Sequence, residues 1–286
     1  MSKPLFHSIT CAAALAAALA ITAGCGPGTD EEPSGSAGDV REAQAAPASA
    51  SAEEAPPAST APESKAAAVA APEGTAVIRG RVVYKGPPPK PRPINFGPEK
   101  QCAHMHEGKP PPQAETLVVN PDGTLRWALV HVGGKVPGRY APPQEPVVVD
   151  QSGCVFTPHV SAAMVNQKVE FRNSDALLHN IRGTPKTGSG FNMAFPQKGS
   201  SETMRFRNPQ LGIQLKCDVH FWMIAYLHIL EHPFFQVTGE DGRFELAGVP
   251  PGKHTVEVWH ETLKPRKVEV EVAAGEVKDL EIVFTD

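Results

Sequence analysis

The chain has 286 residues, of which 41% are hydrophobic, 20% charged and 6% aromatic, with a formal net charge of -4. The charge is uneven: residues 26–74 carry nine acidic and two basic side chains, whereas residues 75–286 hold 24 basic against 22 acidic ones. A near-neutral body without a basic stripe interleaved with aromatics gives no sign of a nucleic-acid partner, and none is expected; no apolar run beyond the first 25 residues reaches spanning length.

In chain order, residues 1–24 combine one lysine, an Ala/Leu-rich run and small residues before Cys25, the pattern of an export signal peptide. The "TAGC" ending at Cys25 resembles a bacterial lipobox, with Thr22 where Leu is usual. That resemblance implies lipidation of Cys25 and a membrane anchor at the mature N-terminus; the alternative is plain cleavage and release into the periplasm. Residues 25–74 are mostly Ala, Pro, Ser, Gly and Glu. So few large apolar groups cannot offset the entropy of ordering, and a disordered tether is expected.

The remaining residues read as β. "GTAVIRGRVVYKG", "ETLVVNPDGTLRWALVHV", "EPVVVDQSG", "NQKVEFRNSD", "SETMRFRN" and "IQLKCDVH" are short alternating or β-branched runs. Turn signals such as "NPDG", "EDGR" and "VPPGK" separate the strand candidates. The last fifty residues continue the pattern, and no long amphipathic helix is evident after the signal. An all-β sandwich or barrel architecture follows.

Five cysteines are present. Cys11 leaves with the signal and Cys25 is the anchor candidate, so Cys102, Cys154 and Cys217 remain in an oxidising compartment. The economical pairing is Cys102 with Cys154, leaving Cys217 free for a metal; the alternative pairs Cys217 with one of the other two. Cys217 opens "CDVHFWM", which spaces a thiol, an imidazole (His220) and a thioether (Met223) at three-residue intervals. Such a donor set favours copper over the oxygen-seeking magnesium and calcium, and differs from structural zinc sites. A second imidazole must come from elsewhere, and "FRNSDALLHNI" presents His179 followed by Asn180.

"FRNSDALLHNI" followed some forty residues later by "CDVHFWM" resembles the cupredoxins, the blue copper proteins, and most closely their amicyanin and plastocyanin-like branch. "FTPHVSAAMVNQKVEFRNSD" is similar to that family's strand pair, with Asn166 where Gly is usual; Asn tolerates the left-handed turn. The resemblance implies a Greek-key sandwich over residues 145–235 and one type 1 copper ion. It implies His179, Cys217 and His220 as trigonal ligands and Met223 as a long axial one. Asn180 would bond the backbone beside the cysteine and tie the two ligand loops together. It also implies a surface-exposed His220, flanked by Phe221 and Trp222 as an apolar docking patch. Taken alone, His179 could be a surface-loop histidine and Met223 core filler, with Met193 the next axial candidate. "QCAHMHEGK" leaves a second metal site at Cys102, His104 and His106 open, against a disulfide beside exposed histidines. His159, His228, His232 and His260 read as packing or surface residues.

"GTAVIRGRVVYKG" and, much later, "DGRFELAGVPPGKHTVEVWHE" resemble a carboxypeptidase regulatory-like, transthyretin-like sandwich. Residues 75–144 and 236–286 would then be two pieces of one small second sandwich with the copper domain inserted, or parts of one larger sandwich. That resemblance implies no peptidase, since "WHET" lacks the second histidine of H-E-x-x-H, and neither G-x-S-x-G nor a P-loop occurs; an electron-transfer or metal-binding protein rather than an enzyme is expected. The expected function is single-electron transfer between redox partner proteins, exported and membrane-tethered. The alternatives are a copper-binding or metal-free binding module of a cell-surface protein, or an accessory subunit of a periplasmic oxidoreductase.

Overall fold

The computed structural model describes residues 74–285 apart from Pro88 and Pro91. The expected signal peptide, the anchor candidate Cys25 and the expected tether lie outside the described residues. The described residues hold sixteen strands and one five-residue helix. The first elements are β1 (Ala76–Tyr84), α1 (Lys100–His104), β2 (Leu129–Val132), β3 (Val147–Gln151), β4 (Phe156–Thr157) and β5 (Val160–Met164). Next come β6 (Lys168–Asn173), β7 (His179–Thr184), β8 (Phe191–Phe195), β9 (Ser201–Arg205), β10 (Gln210–Lys216) and β11 (Ile224–Leu230). The chain closes with β12 (Phe235–Val237), β13 (Arg243–Val249), β14 (Gly252–Trp259), β15 (Arg266–Val272) and β16 (Val277–Phe284).

These strands build two sandwiches. In the first, a five-stranded sheet ordered β5-β11-β10-β7-β8 accompanies a four-stranded sheet ordered β4-β3-β6-β9. Its strands follow the period-2 rule: in β6, Val169, Phe171 and Asn173 are buried while Lys168 and Arg172 face solvent. Val149, Phe171, Ile181, Phe195, Ile213, Leu215 and Leu227 share one core with Cys217 and Met223. Each such large apolar side chain contributes about 1.5–3 kcal/mol on burial. Asn166 takes φ 65° in the turn before β6, the left-handed geometry anticipated for it.

The second sandwich pairs a sheet ordered β13-β1-β16 with one ordered β12-β2-β14-β15. Strands from both sides of the first sandwich in sequence thus share one core, including Ile78, Val82, Leu125, Val130, Phe244, Val256 and Phe284. Gly80 is required there: a Cβ at that position would stand 1.8 Å from the Leu280 carbonyl oxygen on the neighbouring strand. The run 115–132 turns at the expected "NPDG" and breaks a second time, unexpectedly, at Trp127. Residues 120–123 form a turn, Val119 and Leu125 make one isolated bridge, and only Leu129–Val132 enters a ladder. Trp127 explains this with a φ of 65°, and the segment bonds instead to Val82 and Thr238.

Among the described residues no helix is long and apolar enough to cross a membrane. Residues 93–113 form a cover segment carrying α1. The Cys102–Cys154 disulfide fastens it to the β3–β4 turn, and Phe96 and Cys102 pack there with Cys154, Met105 and Trp222.

Candidate metal centre

Two connections of the first sandwich supply the predicted ligands. β6 ends at Asn173, whose side-chain amide donates to the carbonyls of Leu177 (2.7 Å) and Phe195 (3.0 Å) and whose oxygen accepts from the Asp175 N–H (2.9 Å). This side chain folds residues 174–178 into a loop that delivers His179 as the first residue of β7. On the other side β10 stops at Lys216, and residues 217–223 turn back into β11. Met223 N–H donates to the His220 carbonyl (2.9 Å), Cys217 N–H to the Met223 carbonyl (3.3 Å), and His220 N–H to the Cys217 sulfur (3.4 Å). The loop is thereby closed upon its own cysteine.

His179, Cys217 and His220 converge: their ligand atoms lie within 4.8 Å of one another, and all three residues are buried. The two Nδ1 atoms are 2.8 Å apart and the His220 Nδ1 is 3.8 Å from the Cys217 sulfur. The His179 Nε2 contacts Asp175 Oδ2 at 2.9 Å. A carboxylate only accepts, so the proton sits on Nε2 and the Nδ1 lone pair of His179 turns toward His220 and Cys217. Two ring nitrogens facing each other at 2.8 Å beside a cysteine sulfur are donors that a soft cation would draw on, so this donor set fits a copper ion.

Asn180 ties the loops together. Its Oδ1 accepts from the Asp218 N–H (2.7 Å) and the Cys217 thiol (3.4 Å), and its Nδ2 donates to Asp218 (3.0 Å) and Asn192 (2.8 Å). Asp218 also accepts from the Arg182 guanidinium at 2.8 Å. Met223 is buried in the core cluster that contains Cys217. Met193 pairs with Ile181 across β7 and β8 and packs on the same core.

Protonation follows the geometry. Burial pulls His179 down, but Asp175 and Cys217 outweigh it and hold the imidazole above its ordinary range. Burial likewise pushes the Cys217 thiol up, and the His179 contact together with backbone N–H groups reverses the sign and favours the thiolate. His220 is lowered by burial first and by the neighbouring His179 second. Asp175 is raised by burial, yet His179 and the N–H groups of Cys154 and Gly153 bring it below the usual carboxylate range.

The expectations for His220 and Trp222 are corrected. His220 is 2% exposed rather than a surface residue, because the cover segment and its disulfide lie against it. Trp222 turns inward: its indole N–H donates to the Cys154 carbonyl (2.9 Å), and Phe96 meets the ring edge-on at 5.4 Å. Phe221, 75% exposed, is the outward-facing aromatic, with Leu178 (49%) and Val219 (43%) exposed beside the two candidate ligand histidines in sequence. His104 pairs with Glu107 at the surface, and His106 stacks on Phe96 and bonds the Gly153 carbonyl. Neither belongs to a metal-ligating group among the described residues. His159 pairs with Glu261 at 2.5 Å, away from the ligand set.

Asp175 is the residue that sequence reasoning missed. Its buried carboxylate accepts from Gly153 N–H (2.6 Å) and Cys154 N–H (2.8 Å) as well as from His179. Gly153 and Cys154 both take left-handed φ, 67° and 57°, which brings their consecutive N–H groups onto this one carboxylate. The usable signal was an aspartate four residues before a candidate ligand histidine.

No protein-family model matches the chain, and no curated protein sequence matches it. Among solved structures, part of the chain is similar to a copper-containing nitrite reductase (NirK) from Thermus scotoductus SA-01. That match has 22% identity and a TM-score of 0.27, covering 35% of this chain and 25% of the reductase. The chain therefore spans about a quarter of that enzyme's length. A purple cupredoxin from Nitrosopumilus maritimus matches at 17% identity and TM-score 0.25, over 29% of this chain and 98% of the other. An oxidised proline-to-alanine mutant of amicyanin matches at 16% identity and TM-score 0.28, over 35% and 97%. So partial and distant a likeness bears on neither the metal nor the activity of this chain.

Proposed function

We propose that this chain is an exported, lipid-anchored copper protein that passes single electrons between redox partner proteins, and that it is not an enzyme. The observation that carries the reading is the buried convergence of the His179 and His220 Nδ1 atoms on the Cys217 sulfur. His179, Cys217 and His220 would hold one copper ion, with Met223 as a weak fourth donor. When bound, copper supplies a one-electron couple between its cupric and cuprous states.

The remaining residues keep this donor set in place. Asp175 holds the His179 tautomer, and Asn180 pins the Cys217–Asp218 backbone to β7, so the donors are held before a metal arrives. Burial of all three excludes water and exogenous ligands, which suits electron transfer better than catalysis on a bound substrate. Phe221, Leu178 and Val219 would present the apolar contact for a partner that docks briefly and leaves. The second sandwich, with its regulatory-like sequence resemblance, would act as the scaffold carrying this module. The tether would let the module sample partners near the membrane.

The deciding experiment is the visible spectrum of the purified protein after addition of cupric ion. An intense band that disappears in Cys217→Ser and persists in His104→Ala is expected. A colourless protein, or colour independent of Cys217, overturns the reading.

A further inference from the structure

The cover over His220 contains a second set of soft donors. Cys102, Cys154 and His220 bring their ligand atoms within 4.8 Å of one another, all buried, and a third group joins Cys154 to Asp175 and His179. The three groups share members, so donor atoms run without a break from the disulfide to Cys217. Two thiols and one imidazole form a donor set suited to a monovalent soft cation. In the oxidised protein the two sulfurs are bonded to each other and hold no metal.

We propose that reduction of Cys102–Cys154 creates a second, transient site for a cuprous ion, formed by the two sulfurs and His220, from which the ion passes to the Cys217 site. The Cys102–Cys154 bond takes two electrons and two protons from a small dithiol, leaving two thiols, while the dithiol closes as its own disulfide. The cuprous ion then displaces the two thiol protons to buffer. His220 belongs to both donor sets, so rotation of one side chain, rather than release to solvent, carries the ion inward. The same chemistry accounts for the cover: while the disulfide is intact, His220 is buried against Trp222, which Phe96 meets edge-on, and against the Cys102 and Cys154 sulfurs, and His179 and Cys217 are buried as well. The cover contributes to neither large core, so both sandwiches are expected to outlast its loosening.

The onward transfer rests on the proposed function, but the site does not, and Cys217→Ala separates the two. The full-length Cys217→Ala protein is titrated anaerobically with cuprous ion buffered by a coloured chelator, before and after treatment with dithiothreitol. Mass mapping verifies reduction, and far-ultraviolet circular dichroism verifies the fold. One additional cuprous equivalent is expected after reduction, lost in the Cys102→Ala/Cys154→Ala/Cys217→Ala protein. His220→Ala in the Cys217→Ala background is expected to weaken it by about tenfold or more, the scale on which metal sites respond to loss of a partner. Equal uptake by the reduced Cys217→Ala and triple-variant proteins overturns the proposal. So does a disulfide that yields to dithiothreitol only when the protein unfolds, because the site would then not exist in the folded chain.

Discussion

Replacing Asp175 by Asn tests how the ligand loops are held, because one buried carboxylate serves three donors. Its Oδ2 accepts from both Cys154 N–H and His179 Nε2–H, and its Oδ1 from Gly153 N–H. An amide keeping its oxygen at the Oδ2 position turns its NH2 onto the Gly153 N–H, leaving that part-buried donor unpaired at about 1–3 kcal/mol. The two surviving bonds lose their charge assistance, about 1 kcal/mol more. A neutral amide is cheaper to bury, which returns part of this, so a net loss of about 2 kcal/mol is expected. The flipped amide instead donates to His179 Nε2, which must then accept. The proton moves to Nδ1, the atom facing Cys217 and His220, and the ligand is blocked. Copper affinity should therefore drop about 10- to 100-fold. Urea unfolding of the metal-free, disulfide-intact protein at neutral pH measures the first effect, and chelator competition measures the second. A stability loss under about 0.5 kcal/mol together with unchanged affinity would refute the role assigned to Asp175.

Acid should destabilise the protein through two buried histidines. Burial lowers His228 to about 3, and burial reinforced by His159 lowers His260 to about 4. Their neutral forms are favoured in the folded state, so the stability they support is complete above about pH 6.5 and declines as pH falls toward the folded values. Between pH 7 and pH 5 each should cost about 2 kcal/mol. In His228→Gln that difference should shrink by about 2 kcal/mol; an unchanged pH dependence by urea titration counts against it. At Met223, Leu should keep the visible band and raise the reduction potential, whereas Gln should lower it, because an amide oxygen favours the cupric ion. Voltammetry yielding equal potentials would assign Met223 to core packing alone. Phe221→Asp should shift stability by no more than about 0.5 kcal/mol and leave the band in place, while slowing electron self-exchange measured by nuclear magnetic resonance. An unaltered exchange rate would remove Phe221 from the docking surface.

Local pattern determined the strands and the donor chemistry. Alternation in "KVEFRN" and "RKVEVEV" fixes which side chains face a core, because the side-chain period of a strand is two residues wherever that strand lies. The three-residue spacing of Cys217, His220 and Met223 is likewise local: a single seven-residue turn between β10 and β11 closes it. Tertiary structure decided which distant groups meet those residues. Asp175 becomes a partner of His179 only because Asn173 folds the intervening loop. His220 is buried only because a segment more than a hundred residues earlier is fastened over it by Cys102. The break at Trp127 is set by bonds to Val82 and Thr238, which no window around Trp127 contains. Burial and hydrogen-bond partnership are long-range properties, and a residue's neighbours in sequence do not carry them.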